Sequence, residues 1–339
     1  MFDAKKDLGW VRAAGTAHEI GLALGRAGKD AVHRHLVRSQ VWDLVTGPAQ
    51  AARVRTLAEA VRARFPAVWA ELEGLAEGLE LPLPQVVAWN CRGDLLASVP
   101  DGCTTVMIPG PSPLIGHNED GLPFFRGASF IAEVAPADGP GFLSFCYPGS
   151  LPGHTFAVTD TGLVQTVNNL RLLDVRPAMP RMVIGRAVLG AGGLDEAVAL
   201  LRDHGTGGGF HFALSHRRDR RILSVEFGAG AISVRPLVAP ALHANHALHL
   251  DRGTAAQHVT RSSADRQVRG EALLAEGWAP LDILHDAGGP GLPIHRSGSD
   301  DPDDENTLAT AVLHVTEDGV EWSIHDWRSP QPVYRGRTP

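Results

Sequence analysis

The hydrophobic pattern of the chain changes period near residue 96. Before that point, Val54, Leu57, Ala58, Val61, Phe65, Val68, Leu72 and Leu75 recur at spacings of three and four on an otherwise charged background. Such a stripe is the mark of an amphipathic helix, and it predicts helix over 51–79. Pro66 lies inside that span and is expected to kink or divide it, while Gly78 and Pro82 are placed to end it. Further helix is expected over 17–42 and 83–96. From Cys103 onward the period becomes two, with turn residues at short intervals. That pattern predicts strands at 104–108, 114–117, 129–134, 142–145, 155–159 and 163–168, then at 211–215, 222–227, 231–235, 242–245, 309–315 and 320–325. Helices are expected between them at 180–189, 195–204 and 262–275. Many antiparallel-looking strands with grouped helices predict an α+β layered domain, not a βαβ repeat. The Gly-, Pro- and Asp-rich segment 288–305 reads as a loop.

Composition narrows the classes. With 44% hydrophobic and 20% charged residues among 339, disorder is excluded as the dominant state. A balance of 31 Lys+Arg against 38 Asp+Glu, net −7, argues against nucleic acid or an anionic membrane as partner. No stretch approaches the length of a membrane span, and the first residues mix acids and bases where a signal peptide needs an apolar run; a cytoplasmic location is expected. Cys91, Cys103 and Cys146 cannot build a disulfide framework and show no CxxC spacing. Each is expected to be a free thiol, either packed as a small hydrophobe or used as a nucleophile.

Cys103 stands apart by context. It follows Asp101-Gly102 at the boundary between the helical and β-rich parts, with Thr104 and Thr105 beside it. Glycine before it leaves the preceding carbonyl open to attack and tolerates strained backbone angles. The competing reading is a small buried residue opening a strand. In Leu114-Ile-Gly-His-Asn-Glu-Asp120, Asn118 and Asp120 are spaced to share one side of an extended chain; turn capping is the alternative. His243-Ala-Asn-His-Ala-Leu-His249 invites a metal reading, but in a strand His243 and Asn245 share a face and His246 points away. Asn245 is the better candidate, because a side-chain amide can donate to a developing oxyanion. The glycines of 205–209 lack the Gly-Lys-Ser/Thr of a phosphate loop, and the acidic run 300–305 lacks calcium-loop spacing.

Seven segments occur in order: Glu73-Gly-Leu-Ala-Glu-Gly78, Trp89-Asn-Cys-Arg-Gly-Asp-Leu95, Gly102-Cys-Thr-Thr105, Gly116-His-Asn-Glu-Asp120, Thr161-Gly-Leu-Val-Gln-Thr-Val-Asn168, Pro180-Arg-Met-Val-Ile-Gly-Arg186 and His243-Ala-Asn-His246. The series resembles the autoproteolytic family of acyl-coenzyme A:6-aminopenicillanic acid (isopenicillin N) acyltransferase. These are N-terminal-nucleophile enzymes, related more distantly to penicillin V acylase and bile salt hydrolase. The resemblance runs from about residue 15 to the end and implies a four-layer αββα sandwich preceded by a helical N-terminal segment. It also implies a precursor that cuts itself between Gly102 and Cys103. The products would be a helical pro-segment, 1–102, and a catalytic part, 103–339, held together as one compact unit.

Cutting frees an α-amine on Cys103 itself, whose pKa of roughly 7.7–8.0 suits it to act as the base for its own thiol. Carried over by position, Asp120 orients the α-amine and thiol, and Asn245 stabilises the oxyanion. Arg296, in Ile294-His-Arg296, supports charge around the nucleophile. Gly102, Cys103 and Thr105 belong to the processing site, with Asn118 and Arg266 as supporting residues. The implied activity is hydrolysis of a linear carbon–nitrogen amide bond in a small molecule through an acyl-thioester on Cys103. Acyl transfer to an amine is the alternative. A non-catalytic ligand-binding protein is the alternative of another class, and a histidine-liganded metal hydrolase is a third. No cofactor and no metal ion are expected; assembly into a homo-oligomer is left open.

Overall fold

A computed structural model describes residues 7–96, 101–173, 175–250, 256–298 and 302–338. In chain order the elements are β1 (Gly9–Gly15), α1 (Ala17–Arg34), α2 (Gln40–Thr46), α3 (Ala51–Arg64), α4 (Pro66–Leu79), α5 (Leu83–Asn90), α6 (Arg92–Leu95), β2 (Asp101–Ile108) and β3 (Leu114–Gly121). Next come β4 (Phe130–Pro136), β5 (Phe142–Cys146), β6 (Ala157–Thr159), β7 (Leu163–Leu170), α7 (Arg181–Val188), α8 (Leu194–His204), β8 (Gly209–His216), β9 (Leu223–Gly228) and β10 (Ala231–Pro236). The last are β11 (Ala241–His243), α9 (Arg261–Ala275), α10 (Pro280–Leu284), β12 (Asn306–Thr316), β13 (Gly319–Asp326) and β14 (Tyr334–Thr338).

The strands form an eight-stranded sheet ordered β1-β4-β5-β6-β7-β8-β9-β10 and a six-stranded sheet ordered β11-β2-β3-β12-β13-β14. The sheets meet face to face where β2 crosses β7. Helices α1, α4, α7 and α8 cover the outer side of the larger sheet, and α9 and α10 cover the smaller. The result is the expected four-layer αββα sandwich. Helices α1 and α4 approach through glycines: a Cβ on Gly21 would sit 1.9 Å from the Glu71 carbonyl oxygen. Pro66 divides the long apolar stripe, opening α4 where its missing amide costs nothing.

Two strands and one helix depart from the sequence pattern. Gly9–Gly15 is not part of a helical region but pairs in parallel with β4. Only Ala13 of it is buried, so no apolar alternation marks it; Trp10, stacked on Trp322 and tilted against Tyr334, holds it instead. β14 is an edge strand with an exposed middle, and α10 is too short for a helical period to show. The described part of 288–305 carries no helix or strand, and residues 299–301 lie outside the described residues.

β2 begins three residues earlier than its apolar pattern suggests, and β3 runs four further. The Gly102–Cys103 bond therefore lies inside a regular strand. Register pairs Gly102 with Asp120, Cys103 with Glu119 and Thr105 with His117.

Candidate active site

Strand pleating sorts these residues onto two faces. Cys103, Thr105, His117 and Glu119 point inward, between the sheets. Gly102, Thr104, Asn118 and Asp120 point outward, under α9 and α10. The two faces carry different chemistry.

On the inner face the hydrogen bonds define the positions of the protons. Asn168 donates its Nδ2 to the His243 carbonyl at 3.1 Å, which turns its Oδ1 toward Thr105. The single Thr105 hydroxyl proton goes to that oxygen at 2.7 Å. Thr105 Oγ1 must then accept from His117 Nδ1, 2.8 Å away. Burial pushes the His117 pKa down to about 3, so the ring is neutral and its Nε2 is bare. Nε2 faces Glu119 Oε2 at 3.0 Å. That contact needs a proton, and the carboxyl supplies it. Burial drives the Glu119 pKa well above the usual carboxylate range, as a protonated carboxyl requires. The other oxygen, Oε1, accepts from the Tyr147 hydroxyl at 2.5 Å. The Cys103 thiol is buried 4.0 Å from Glu119 Oε2. Burial first, and then the nearby carboxyls of Glu119, Asp120 and Asp101, push its pKa well up. The inner face is a chain of neutral groups.

The outer face is built from charges. The fully buried Arg266 donates Nη1 to the Cys103 carbonyl and to Thr104 Oγ1 (2.9 Å), and Nη2 to Asn245 Oδ1 (2.7 Å). Asn245 Oδ1 also accepts the backbone N–H of Cys103 at 2.9 Å. Arg296 pairs with Glu305, whose second oxygen lies 2.7 Å from Arg171 Nη2. A Cβ on Gly102 would come 2.2 Å from Glu305 Oε2 and 3.1 Å from Arg296 Nη1. Asp120 Oδ1 accepts from Thr307 Oγ1 at 2.7 Å, while its buried Oδ2 has no hydrogen-bond partner.

The structure thus gathers Gly102, Cys103, Thr105, Asn245 and Arg266 around one peptide bond, with Arg296 against its glycine. Several expectations change in detail. Gly102 is not among the glycines with positive φ; it is needed because any side chain would strike Glu305. Asn245 meets the bond as an acceptor for the Cys103 N–H, and its amide nitrogen donates to the Asn169 carbonyl at 3.2 Å. Asp120 lies on the face away from the thiol, beside Gly102. Asn118 is a clamp, donating to the Leu284 carbonyl at 2.7 Å and accepting from Thr310 at 2.6 Å. The histidines of 243–249 divide between two partners: His243 and His249 both lie against Glu226, at 2.8 and 3.7 Å, with His249 also meeting Ser224, while His246 turns to Ser263. Reading by residue type missed His117, Glu119 and Tyr147. Choosing Asn118 and Asp120 selects the outward face of the same strand, and only the register with β2 shows which parity shares the thiol's face.

Comparison with known proteins places the chain in a family. The profile of the family described as acyl-coenzyme A:6-aminopenicillanic acid acyl-transferase matches residues 108–328. Among curated relatives, beta-alanyl-dopamine/carcinine hydrolase of Drosophila melanogaster is 28% identical over 57% of this chain, which spans 57% of that protein's length. The 40 kDa form of acyl-coenzyme A:6-aminopenicillanic-acid-acyltransferase from Emericella nidulans is 27% identical over 78% of this chain and 77% of its own. Among solved structures, a mutant conjugated bile acid hydrolase from Clostridium perfringens aligns with a TM-score of 0.44 at 10% identity, covering 69% of this chain and 91% of that one. Among the described residues, no helix is long and apolar enough to cross a membrane. The chain belongs to the acyl-coenzyme A:6-aminopenicillanic acid acyl-transferase family.

Proposed function

We propose that this chain is a self-processing amidohydrolase that cuts itself between Gly102 and Cys103 and then hydrolyses a linear amide in a small molecule. One relative carries the name of a hydrolase and the other that of an acyltransferase. Amide hydrolysis and acyl transfer share an acyl-enzyme half-reaction. The observation that carries the reading is the setting of the Gly102–Cys103 bond. Its N–H is held by Asn245, its glycine has no room for a side chain, and the adjoining thiol lies beside a neutral proton-sharing chain.

In the uncut chain the Cys103 nitrogen is an amide and cannot serve as a base. The thiol sulfur adds to the Gly102 carbonyl carbon, passing its proton to Glu119 as that carboxyl hands its own to the bare Nε2 of His117. The carbon–nitrogen bond then breaks, and the departing nitrogen takes a proton to become an amine. Water hydrolyses the resulting Gly102–Sγ thioester, leaving a Gly102 carboxylate and a free Cys103. The new amine, with a pKa of roughly 7.7–8.0, is the base for later turnovers. The unpartnered Asp120 Oδ2 on the Gly102 side supports a role in holding that ammonium. Buried Arg296 and Glu305 give the new chain end fixed charges to lean on.

A substrate amide then acylates Cys103, its amine leaves, and water resolves the thioester. Hydrolysis is favoured over transfer because water is always present, whereas a transferase must exclude it. Incubating the protein with a panel of N-acyl amines, β-alanyl amides included, tests this reading. Brief acid quenching should trap an acyl mass on the part beginning at Cys103, absent in Cys103→Ala. Turnover without any acyl adduct, or with Cys103→Ala still active, would contradict it.

A further inference from the structure

The inner face holds a donor set that the reaction alone does not explain. Cys103 Sγ, His117 Nε2 and a Glu119 carboxylate oxygen all lie within 4.8 Å of one another, and all three residues are buried. Glu119 Oε2 is 3.0 Å from the imidazole nitrogen and 4.0 Å from the sulfur. Tetrahedral zinc binds sulfur at about 2.3 Å and nitrogen or oxygen at about 2.0–2.2 Å, which sets its ligand atoms roughly 3–4 Å apart. The trio is already close to that spacing.

The surroundings aim the donors. Thr105 takes the Nδ1 proton of His117 and sends its own to Asn168, so the Nε2 lone pair faces the sulfur and the carboxyl. Metal-binding histidines are oriented by just such an outer hydrogen bond. Tyr147 holds Glu119 by Oε1, leaving Oε2 for the site. Charge favours the same outcome. Burial disfavours a lone thiolate and a lone carboxylate here. A divalent ion bound to one thiolate, one carboxylate and one neutral imidazole is uncharged overall, so it removes the penalty each ionisation carries alone. Binding releases two protons, one from the thiol and one from the carboxyl. Because one ligand is thiolate, the site selects zinc-class ions over magnesium or calcium.

We propose that Cys103, His117 and Glu119 form a site for a thiophilic divalent cation of the zinc class, which caps the thiol and slows self-cleavage until the ion leaves. The site stands on geometry alone; the capping rests on Cys103 being the nucleophile. A thiolate whose charge is drawn to a metal and whose position the metal fixes adds more slowly to the Gly102 carbonyl.

Cobalt(II) is the probe. The full chain, stripped with a chelator, is titrated with cobalt chloride and followed by absorbance. One equivalent should give a near-ultraviolet thiolate-to-cobalt band that zinc chloride displaces. The band should vanish in Cys103→Ser, persist in Cys146→Ser, and weaken about 10–100-fold in cobalt affinity in Thr105→Val, which keeps the side-chain shape but removes the hydrogen bond to His117. Thermal unfolding of each variant monitors folding. Absence of the band, or its survival in Cys103→Ser, overturns the site. For capping, the chain is made by cell-free synthesis with zinc or with magnesium alone, and the cut fraction is followed by time. Slower cutting with zinc, restored by chelator, supports capping; equal rates with the cobalt band present overturn it. A chain that is never cut in either condition defeats the proposed function while leaving the cobalt result to decide the site.

Discussion

The two faces of the β2–β3 pair differ as sharply as a core and a salt-bridge network, although they share a backbone. Inward, Thr105, His117, Glu119 and Cys103 are joined by hydrogen bonds between neutral groups. Outward, Arg266, Arg296, Arg171 and Glu305 surround Gly102 and Asn245 with buried charge. The pleat thus separates groups able to gain or lose a proton from fixed charge, which holds the strand and the Gly102–Cys103 bond in place.

The sharpest way to break this comparison is to make the same substitution on each face. Glu305→Gln leaves Arg296 and Arg171 without their buried anion, and loss of one partner of a buried pair costs about 3–5 kcal/mol. Chemical denaturation should show that loss as a lower midpoint at unchanged slope. Gly102→Ala tests the outer face by shape. Its Cβ would meet Glu305 Oε2, and overpacking of this kind costs about 1–3 kcal/mol. Self-cleavage should stop as the glycine carbonyl shifts; a Gly102→Ala variant cut at the wild-type rate would show that the tight fit is incidental.

Acid sharpens the contrast from the inner side. Burial holds His117 and His154 near a pKa of about 3, and His249 and His285 near about 4. All four therefore stay neutral in the fold, while the unfolded chain binds protons from about pH 6.5 downward. Stability should be full above that pH and fall as pH drops from about 6.5 toward 3–4, before most carboxylates titrate. Denaturation midpoints across pH 7.5 to 4 check this, and a flat profile would mean that the imidazoles are charged in the fold. The smallest effect is expected for Glu119→Gln. Its amide can still donate to His117 Nε2, so the stability change should be about 1 kcal/mol or less. A loss as large as that of Glu305→Gln would show that Glu119 is ionised.

Much of the sandwich is legible in the sequence because alternation and helical stripes are produced by burial itself. β1 escapes because its neighbours are a strand edge and the rings of Trp322 and Tyr334, not a core face. Within the site, Cys103, Gly102 and Asn245 stand out by residue type and order, and Arg266 enters through the family resemblance. Glu119 does not. Nothing in Gly116-His-Asn-Glu-Asp120 tells which parity shares the thiol's face until the register with β2 is known. Tyr147 and Thr307 reach the site from distant segments, so no local pattern could announce them.

The central claim is that the bond ahead of Cys103 is the chain's own first substrate. Intact mass under denaturing conditions measures it directly. Wild-type protein should give two pieces meeting at Gly102 and Cys103, and Cys103→Ala a single whole chain. A wild-type chain that stays whole at neutral pH after metal is removed, or an alanine variant that still divides there, would contradict the account.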